Sequence, residues 1–158
     1  MNAQQTENKK GFTIIEVVLV LAIAALIFLM VFIALPALQR NQRDTARKNQ
    51  MSKVLGAVTS YQSNNRGRNP VANDAFAKYL DGTLETNNSI TLDGEYTVTI
   101  DTSPTSGSVP SGVSTDNMTL VFGMKCDVDG EVVDGGSNRQ AAVVMTLENG
   151  DADYCQES

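Results

Sequence analysis

The stretch KKGFTIIEVVLVLAIAALIFLM, residues 9–30, decides how this chain is built. Two lysines and a glycine come first, Glu16 follows, and 19 apolar residues then run without interruption from Val17 to Leu35. As a helix this run rises about 28 Å, close to the hydrocarbon thickness of a bilayer. It therefore predicts a single transmembrane helix, with a carboxylate at its start that needs an explanation.

A cleaved secretory signal peptide is the competing interpretation of the apolar run. The apolar core of such a signal is usually about 7–15 residues long, and a small-residue cleavage site follows it. Here the run leads into Pro36, Leu38 and Arg40 without such a site, so a membrane span is favoured.

Charge is unevenly distributed along the 158 residues. Residues 39–68 hold seven basic residues and one acid, Asp44, whereas the chain from residue 69 onwards holds fifteen acids and three bases. Such polarity is typical of subunits that attract one another or a charged partner. The bases after the span outnumber Lys9 and Lys10 before it, which by the positive-inside rule would leave the rest of the chain in the cytoplasm.

The chain has no histidine, which excludes Ser-His-Asp triads, Cys-His pairs and histidine metal sites. Aspartyl and Ser-Lys chemistry is compatible with the composition, but no pattern indicates it. The composition therefore excludes most small hydrolase mechanisms.

Helical periodicity continues beyond the span. Met51, Val54, Leu55 and Val58 follow the spacing i, i+3, i+4, i+7, which places them on one face of a helix. One helix is predicted from about residue 12 to about residue 64.

This helix has two parts and one weak point. Residues 12–38 are apolar on all sides, residues 39–65 are amphipathic, and NNRGRNP (residues 64–70) ends the helix. Pro36 lies inside the helix and lacks a backbone donor, so a kink or local unwinding is expected there.

Residues 66–158 predict a small antiparallel β head, with one sheet face covered by the amphipathic half of the helix. The fold class is thus α+β. In chain order the predicted elements are a short helix (73–80, capped by Asn73 or Asp74), a hairpin (89–100) around Asp93-Gly94, an exposed Ser/Thr/Gly/Pro-rich loop (101–116), a strand (118–126), an acidic glycine-rich connection (127–140) and a strand (141–147).

Cys126 and Cys155 are the only cysteines. In an exported head they would form one disulfide, and closing a loop of about 30 residues is worth about 3.5 kcal/mol in the chain-entropy model. Two free thiols are the alternative. A disulfide would place the head outside the cytoplasm, against the count of flanking charges.

Two charged segments are candidate binding sites. Asp127, Asp129, Glu131 and Asp134 could supply calcium ligands, but the full calcium-loop pattern is not met and an acidic turn is favoured. The basic stretch with Arg40, Arg43 and Arg47 could bind nucleic acid. Pairing between subunits, with Asp44 or the acids of the head, is favoured instead. Asn87 and Asn117 match the glycosylation acceptor pattern.

The segment KKGFTIIE (residues 9–16), followed by the apolar run, resembles the prepilin signal of type IV pilins and their pseudopilin relatives. The resemblance is specific over residues 9–38, and beyond residue 64 only the layout of helix, sheet and C-terminal disulfide loop is similar. It implies that residues 1–11 are a leader removed by a prepilin peptidase between Gly11 and Phe12. It also implies N-methylation of Phe12 and a head that faces outward.

The same resemblance implies roles in assembly. Glu16 becomes the fifth residue of the mature chain and pairs with the protonated Phe12 amine of a neighbouring subunit, while Thr13 adds a polar contact. The alternative is an ordinary acid at a helix N-terminus. The helix-breaking proline of the family falls where this chain has Ile33, so Pro36 implies a displaced break.

The function implied is a structural subunit of a type IV pilus, which is not an enzyme and needs no cofactor. Such a subunit waits in the cytoplasmic membrane, is polymerised by an inner-membrane assembly platform, and forms an extracellular homo-oligomeric filament. That filament, or fimbrium, serves adhesion, twitching motility or DNA uptake, with DNA or a surface as possible ligand. The alternatives are a pseudopilin of a type II secretion or competence machine, and a single-span membrane protein with a receptor-like ectodomain.

Overall fold

The computed structural model describes residues 11–85 and 89–158. Two compact units divide the chain at residues 39 and 40, and each is described by itself below. The first ten residues, which include most of the predicted leader, and Asn87 of the first glycosylation pattern lie outside the described residues.

The first unit is helical from Ile14, where α1 (Ile14–Asn64, 51 residues) begins. Its large apolar side chains between Phe12 and Leu38 are all exposed, and their exposed fractions range from 42% at Val31 to 90% at Phe12. In the described part of the chain, α1 alone is long and apolar enough to cross a membrane, judged by length and composition. Among residues 11–39, the described part of this unit, nothing covers this apolar surface.

Of the kink or local unwinding predicted at Pro36, the single chain shows no unwinding, and a kink stays a prediction. The helix continues through Pro36 without interruption. Proline removes one N–H group, but its fixed φ suits a helix. In an apolar segment a wider break would leave further backbone groups without hydrogen bonds, which costs more than the single lost donor.

The second unit contains the rest of α1, which is amphipathic as predicted. Met51, Val54, Leu55 and Val58 are all buried, each 7% exposed or less. The helix ends at Asn64, and the Gly67 N–H then donates to the Gln62 carbonyl at 2.7 Å.

A second, short helix follows in the same unit. Helix α2 (Asp74–Ala77) begins after the N-cap Asn73, whose side-chain oxygen accepts the Phe76 N–H at 2.9 Å. It stops three residues earlier than predicted and continues as turns through Leu80. The ring of Phe76 is fully buried and meets that of Tyr61 edge-on, with 5.6 Å between centroids.

The head is dominated by an antiparallel sheet. Its strands, in the order in which they are paired, are β1 (Thr83–Leu84), β2 (Ser89–Leu92), β3 (Tyr96–Ile100), β4 (Asn117–Phe122), β7 (Ala141–Thr146) and β8 (Asp153–Glu157). The hairpin predicted around Asp93-Gly94 is confirmed as β2–β3, with both turn residues at positive φ.

One pair in this sheet corrects the prediction of purely antiparallel strands. β3 and β4 are parallel, with Thr97 opposite Asn117 and Ile100 opposite Leu120. Parallel pairing needs a long connection, and the loop over residues 101–116 is long enough to carry the chain back. That loop is not simply exposed as predicted, because Pro110 is buried and Val109 packs against the core.

The strand predicted over residues 118–126 is in fact two strands in two sheets. Gly123, with φ of 75°, separates β4 from β5 (Met124–Cys126). β5 pairs with β6 (Val132–Asp134), a strand inside the segment predicted to be a connection. A three-residue strand carries too little periodicity to be found from sequence alone.

The core has two layers that meet at β7. Ala141, Val143 and Met145 face the cluster that includes α1, whereas Ala142 and Val144 face the second cluster with Val121, Met124 and Val132. All five of these β7 residues are fully buried. β7 therefore lies between α1 on one side and the β5–β6 hairpin on the other.

The predicted disulfide is present. Cys126 at the end of β5 is bonded to Cys155 in β8, across 29 residues of chain and a Cα–Cα distance of 5.5 Å. It joins the small sheet to the last strand of the large one.

Replacing both cysteines by serine should lower the melting temperature of the full chain in detergent. The free energy of unfolding should fall by about 3.5 kcal/mol or less, because without the disulfide the unfolded chain regains the conformational entropy of a loop of about 30 residues. Thermal unfolding of the wild type with and without a reducing agent is the matched control. Identical melting in both buffers would contradict a stabilising disulfide.

Candidate functional site

The predicted cleavage site lies directly before α1. Gly11 and Phe12 are outside the helix and exposed, and the side chain of Phe12 is 90% accessible. Exposed, non-helical chain of this kind is what a peptidase can bind and cut. The geometry is therefore compatible with cleavage between Gly11 and Phe12.

Thr13 and Glu16 form a capping box at the start of α1. The Thr13 N–H and hydroxyl both donate to Oε2 of Glu16, at 2.9 and 2.8 Å. In return the Glu16 N–H points to Thr13, at 3.1 Å from its carbonyl and 3.4 Å from its hydroxyl oxygen. The sequence T-I-I-E has the Thr-x-x-Glu spacing that this arrangement requires.

In the single chain, Glu16 thus occupies the position that the alternative interpretation gave it, as an acid at a helix N-terminus. Its pairing with the amine of a neighbouring chain stays a prediction. The Thr13 N–H and hydroxyl both donate to the same carboxylate oxygen of Glu16, Oε2. Within the described residues, no donor is hydrogen-bonded to Oε1. One oxygen is therefore left for a second donor.

The basic stretch forms an ion-pair cluster with the turn between β7 and β8. Arg43 binds both carboxylate oxygens of Glu148, with a closest contact of 2.6 Å, and Arg47 binds the same carboxylate at 2.7 Å. Arg47 also contacts Asp44 at 3.1 Å and donates to the Thr115 carbonyl at 2.8 Å. We call Arg43, Asp44, Arg47 and Glu148 the clamp.

The clamp contains two buried charges. Asp44 is 6% exposed and Arg47 4%. The carboxylate of Asp44 also accepts the backbone N–H groups of Glu148 and Asn149, at 2.8 and 2.9 Å. Buried charges of opposite sign are tolerated when both are paired and hydrogen-bonded, as they are here.

The hydrogen bonds from Arg43 and Arg47 lower the pKa of Glu148 to about 2. The hydrogen bond with Glu148 in turn raises the pKa of Arg43. Glu148 is therefore charged near neutral pH.

Arg43 and Arg47 find acidic partners within their own chain. Pairing between subunits and binding of nucleic acid stay predictions. The spacing of Asp44 and Arg47 predicts their contact, because residues i and i+3 lie on the same face of a helix. Glu148 lies about a hundred residues away, and no sequence pattern indicates its role.

The calcium candidates are not brought together. Within residues 11–85 and 89–158, no group of three or more His, Cys, Asp or Glu side chains could hold a metal ion. Asp127 instead closes the β5–β6 turn, where its side chain accepts the Val128 N–H at 2.7 Å. The segment is an acidic turn, which was the favoured interpretation.

Asn117 of the second glycosylation pattern has a structural role. Its amide nitrogen donates to the Gly112 carbonyl, and its oxygen accepts the Thr99 hydroxyl at 3.2 Å. These bonds join the start of β4 to the loop over residues 101–116 and to β3.

Comparison with known proteins identifies the N-terminal segment. Residues 7–32 match the family model of the prokaryotic N-terminal methylation motif, the signature of type IV pilins and prepilins. The long N-terminal helix, packed through its second half on an antiparallel-dominated sheet, has the layout of the pilin fold. The searches of curated proteins and of solved structures gave no match.

Glu148→Gln should destabilise the head, because buried Arg47 loses one of its two charged partners. A carboxyl group with a lowered pKa stabilises the folded state above its ordinary pKa and loses that effect on acidification. The difference in melting temperature from wild type should be constant above pH 4.5 and vanish as the pH falls towards about 2.

The exposed Glu95→Gln is the matched control and should leave melting unchanged at every pH. A Glu148→Gln deficit that persists at the lowest pH would mean that the charge of Glu148 is not what stabilises the head.

Proposed function

We propose that this chain is the structural subunit of a type IV pilus. The observation that carries the proposal is the methylation motif. The motif includes the capped start of α1, and the described residues of its unit leave the apolar surface of this helix uncovered. A prepilin peptidase would cut between Gly11 and Phe12 and methylate the new amino terminus.

The apolar half of α1 must be covered by something other than the described residues of its own unit. Each exposed Val, Leu, Ile or Phe side chain costs about 1.5–3 kcal/mol in water, so the helix needs lipid before assembly. Transfer from lipid to a bundle of like helices brings little further hydrophobic gain. Polar pairing and close packing must therefore favour the filament over the membrane.

Glu16 is suited to provide this polar pairing. Cleavage creates a protonatable amine on Phe12, and a carboxylate in apolar surroundings requires such a partner. The amine of an adjacent subunit would meet Oε1 while Thr13 holds Oε2. The pairing then fixes the axial step between subunits.

The assembled protein would lie outside the cell. The subunit would wait in the cytoplasmic membrane with its head outward, join the filament at an inner-membrane assembly platform, and serve adhesion, motility or DNA uptake. The disulfide supports this location, because stable disulfides are typical of exported domains.

Terminal sequencing and intact mass of protein sheared from the cell surface test the proposal. We expect a chain that begins at Phe12 and carries one added methyl group. A cleaved chain found only in membranes would favour the pseudopilin alternative. A chain that still begins at Met1 would contradict processing and favour the plain membrane anchor.

Glu16→Ala should leave cleavage intact but lower the yield of sheared filaments by about tenfold or more, because the neighbouring amine loses its counter-charge. Thr13→Ser keeps the capping hydroxyl and is the matched control, with a yield near wild type. A normal yield from the Glu16 variant would refute the pairing.

A further inference from the structure

Three arginines beyond the end of α1 have no acidic partner. Arg66, Arg68 and Arg139 are exposed, and the described part of the chain contains no ion pair that involves them. Two of them line a polar hollow without any carboxylate, which we call the arginine hollow. Its residues are Thr59, Gln62, Ser63, Arg66, Gly67 and Arg139.

The backbone holds the arginine hollow in place. Gly67 has φ of 76°, and the guanidinium of Arg139 lies so close that a Cβ at this position would collide with it. The side chain of Gln62 donates to the Arg139 carbonyl, and that of Asn69 to the Asn138 carbonyl, both at 2.8 Å. These bonds fix the backbone that carries Arg139.

A second exposed surface has the opposite charge. The β5–β6 hairpin, residues 124–134, carries four acidic residues and one base, Lys125, and we call it the acidic hairpin. None of these five residues forms an ion pair in the part of the chain that the structure describes. These acids are Asp127, Asp129, Glu131 and Asp134. At its tip, between two aspartates, the side chain of Val128 is 94% exposed.

The acidic hairpin is also held firmly. The disulfide ties Cys126 to β8, and the Cys126 N–H donates to the Glu157 carboxylate at 3.0 Å. Gly130 is packed so closely on the backbone of Asp153 that a Cβ would not fit. A rigid projection loses little entropy when it binds.

The tip of the acidic hairpin, residues 127–131, and the arginine hollow lie at opposite ends of the head. The hairpin tip contacts Asp153, which pairs with Thr146, and the clamp joins this end of the sheet to α1 at Asp44. The arginine hollow lies at the other end, where Gln62 contacts Arg139. Residues 44 and 62 are about 27 Å apart along a helix.

We propose that the acidic hairpin of one copy of this chain docks into the arginine hollow of the next copy. The charges are complementary, and their positions at opposite ends make the contact heterologous. A heterologous contact that does not close into a ring generates an open helical filament. The inference rests on the proposed filament function and adds a contact between heads to the contact between helices.

Charge reversal in cells that make the full chain tests this contact. Arg66→Glu with Arg139→Glu should lower the yield of sheared filaments about tenfold, because attraction becomes repulsion at each junction. Asp127→Lys with Asp129→Lys should do the same. All four changes in one chain should restore the yield, since the complementary charges are exchanged.

Co-production of the two defective chains should restore filaments as well, because each then supplies the surface that fits the other. Arg66→Lys with Arg139→Lys keeps the charge and is the control for the loss of guanidinium groups. Melting temperature and the Phe12 terminus are measured for every variant, so that misfolding and failed processing are distinguished from failed contact.

Two outcomes would overturn the proposal. The first is a normal filament yield from the arginine reversal. If that variant lost binding to double-stranded DNA instead, the hollow would be a site for nucleic acid. The second is a defect that neither the fourfold exchange nor co-production repairs. A wild-type chain without processing or filaments would refute the proposed function itself, before any variant is compared.

Discussion

The first half of α1 is not covered by the described residues of its own unit, and much of the interpretation of this molecule depends on this constraint. Its large apolar side chains are exposed in the single chain. A bilayer can cover them in one state and other copies of the helix in another. A segment with two acceptable surroundings suits a subunit that is stored in a membrane and then moved into a polymer.

The second half of α1 meets a different requirement. It must hold a head against the helix without adding apolar surface that would compete for the membrane. Buried residues such as Met51 and Val54 fill the contact with the sheet, and the clamp adds charge-assisted bonds at Asp44 and Arg47. Charged partners that are already engaged also leave less free positive charge beside the span.

Different observations favour opposite orientations of the chain in the membrane. The count of bases around the span favours a cytoplasmic head, whereas the disulfide and the methylation motif favour an external one. In the folded head, Arg43 and Arg47 are balanced by Glu148 and Asp44. These ion pairs do not change the count, because the positive-inside rule counts bases and acidic residues contribute little to it.

The sequence by itself determined the apolar run, the processing motif, the buried face of α1 and the hairpin at Asp93-Gly94, because each depends on neighbouring residues and a short period. Two cysteines allowed only one pairing, and the structure decided between that pairing and two free thiols. The tertiary structure alone decided the parallel β3–β4 pair, the short β5–β6 sheet and the partnership of Arg43 with Glu148. These join residues far apart in the chain, and which distant groups meet is settled by packing the whole head around β7.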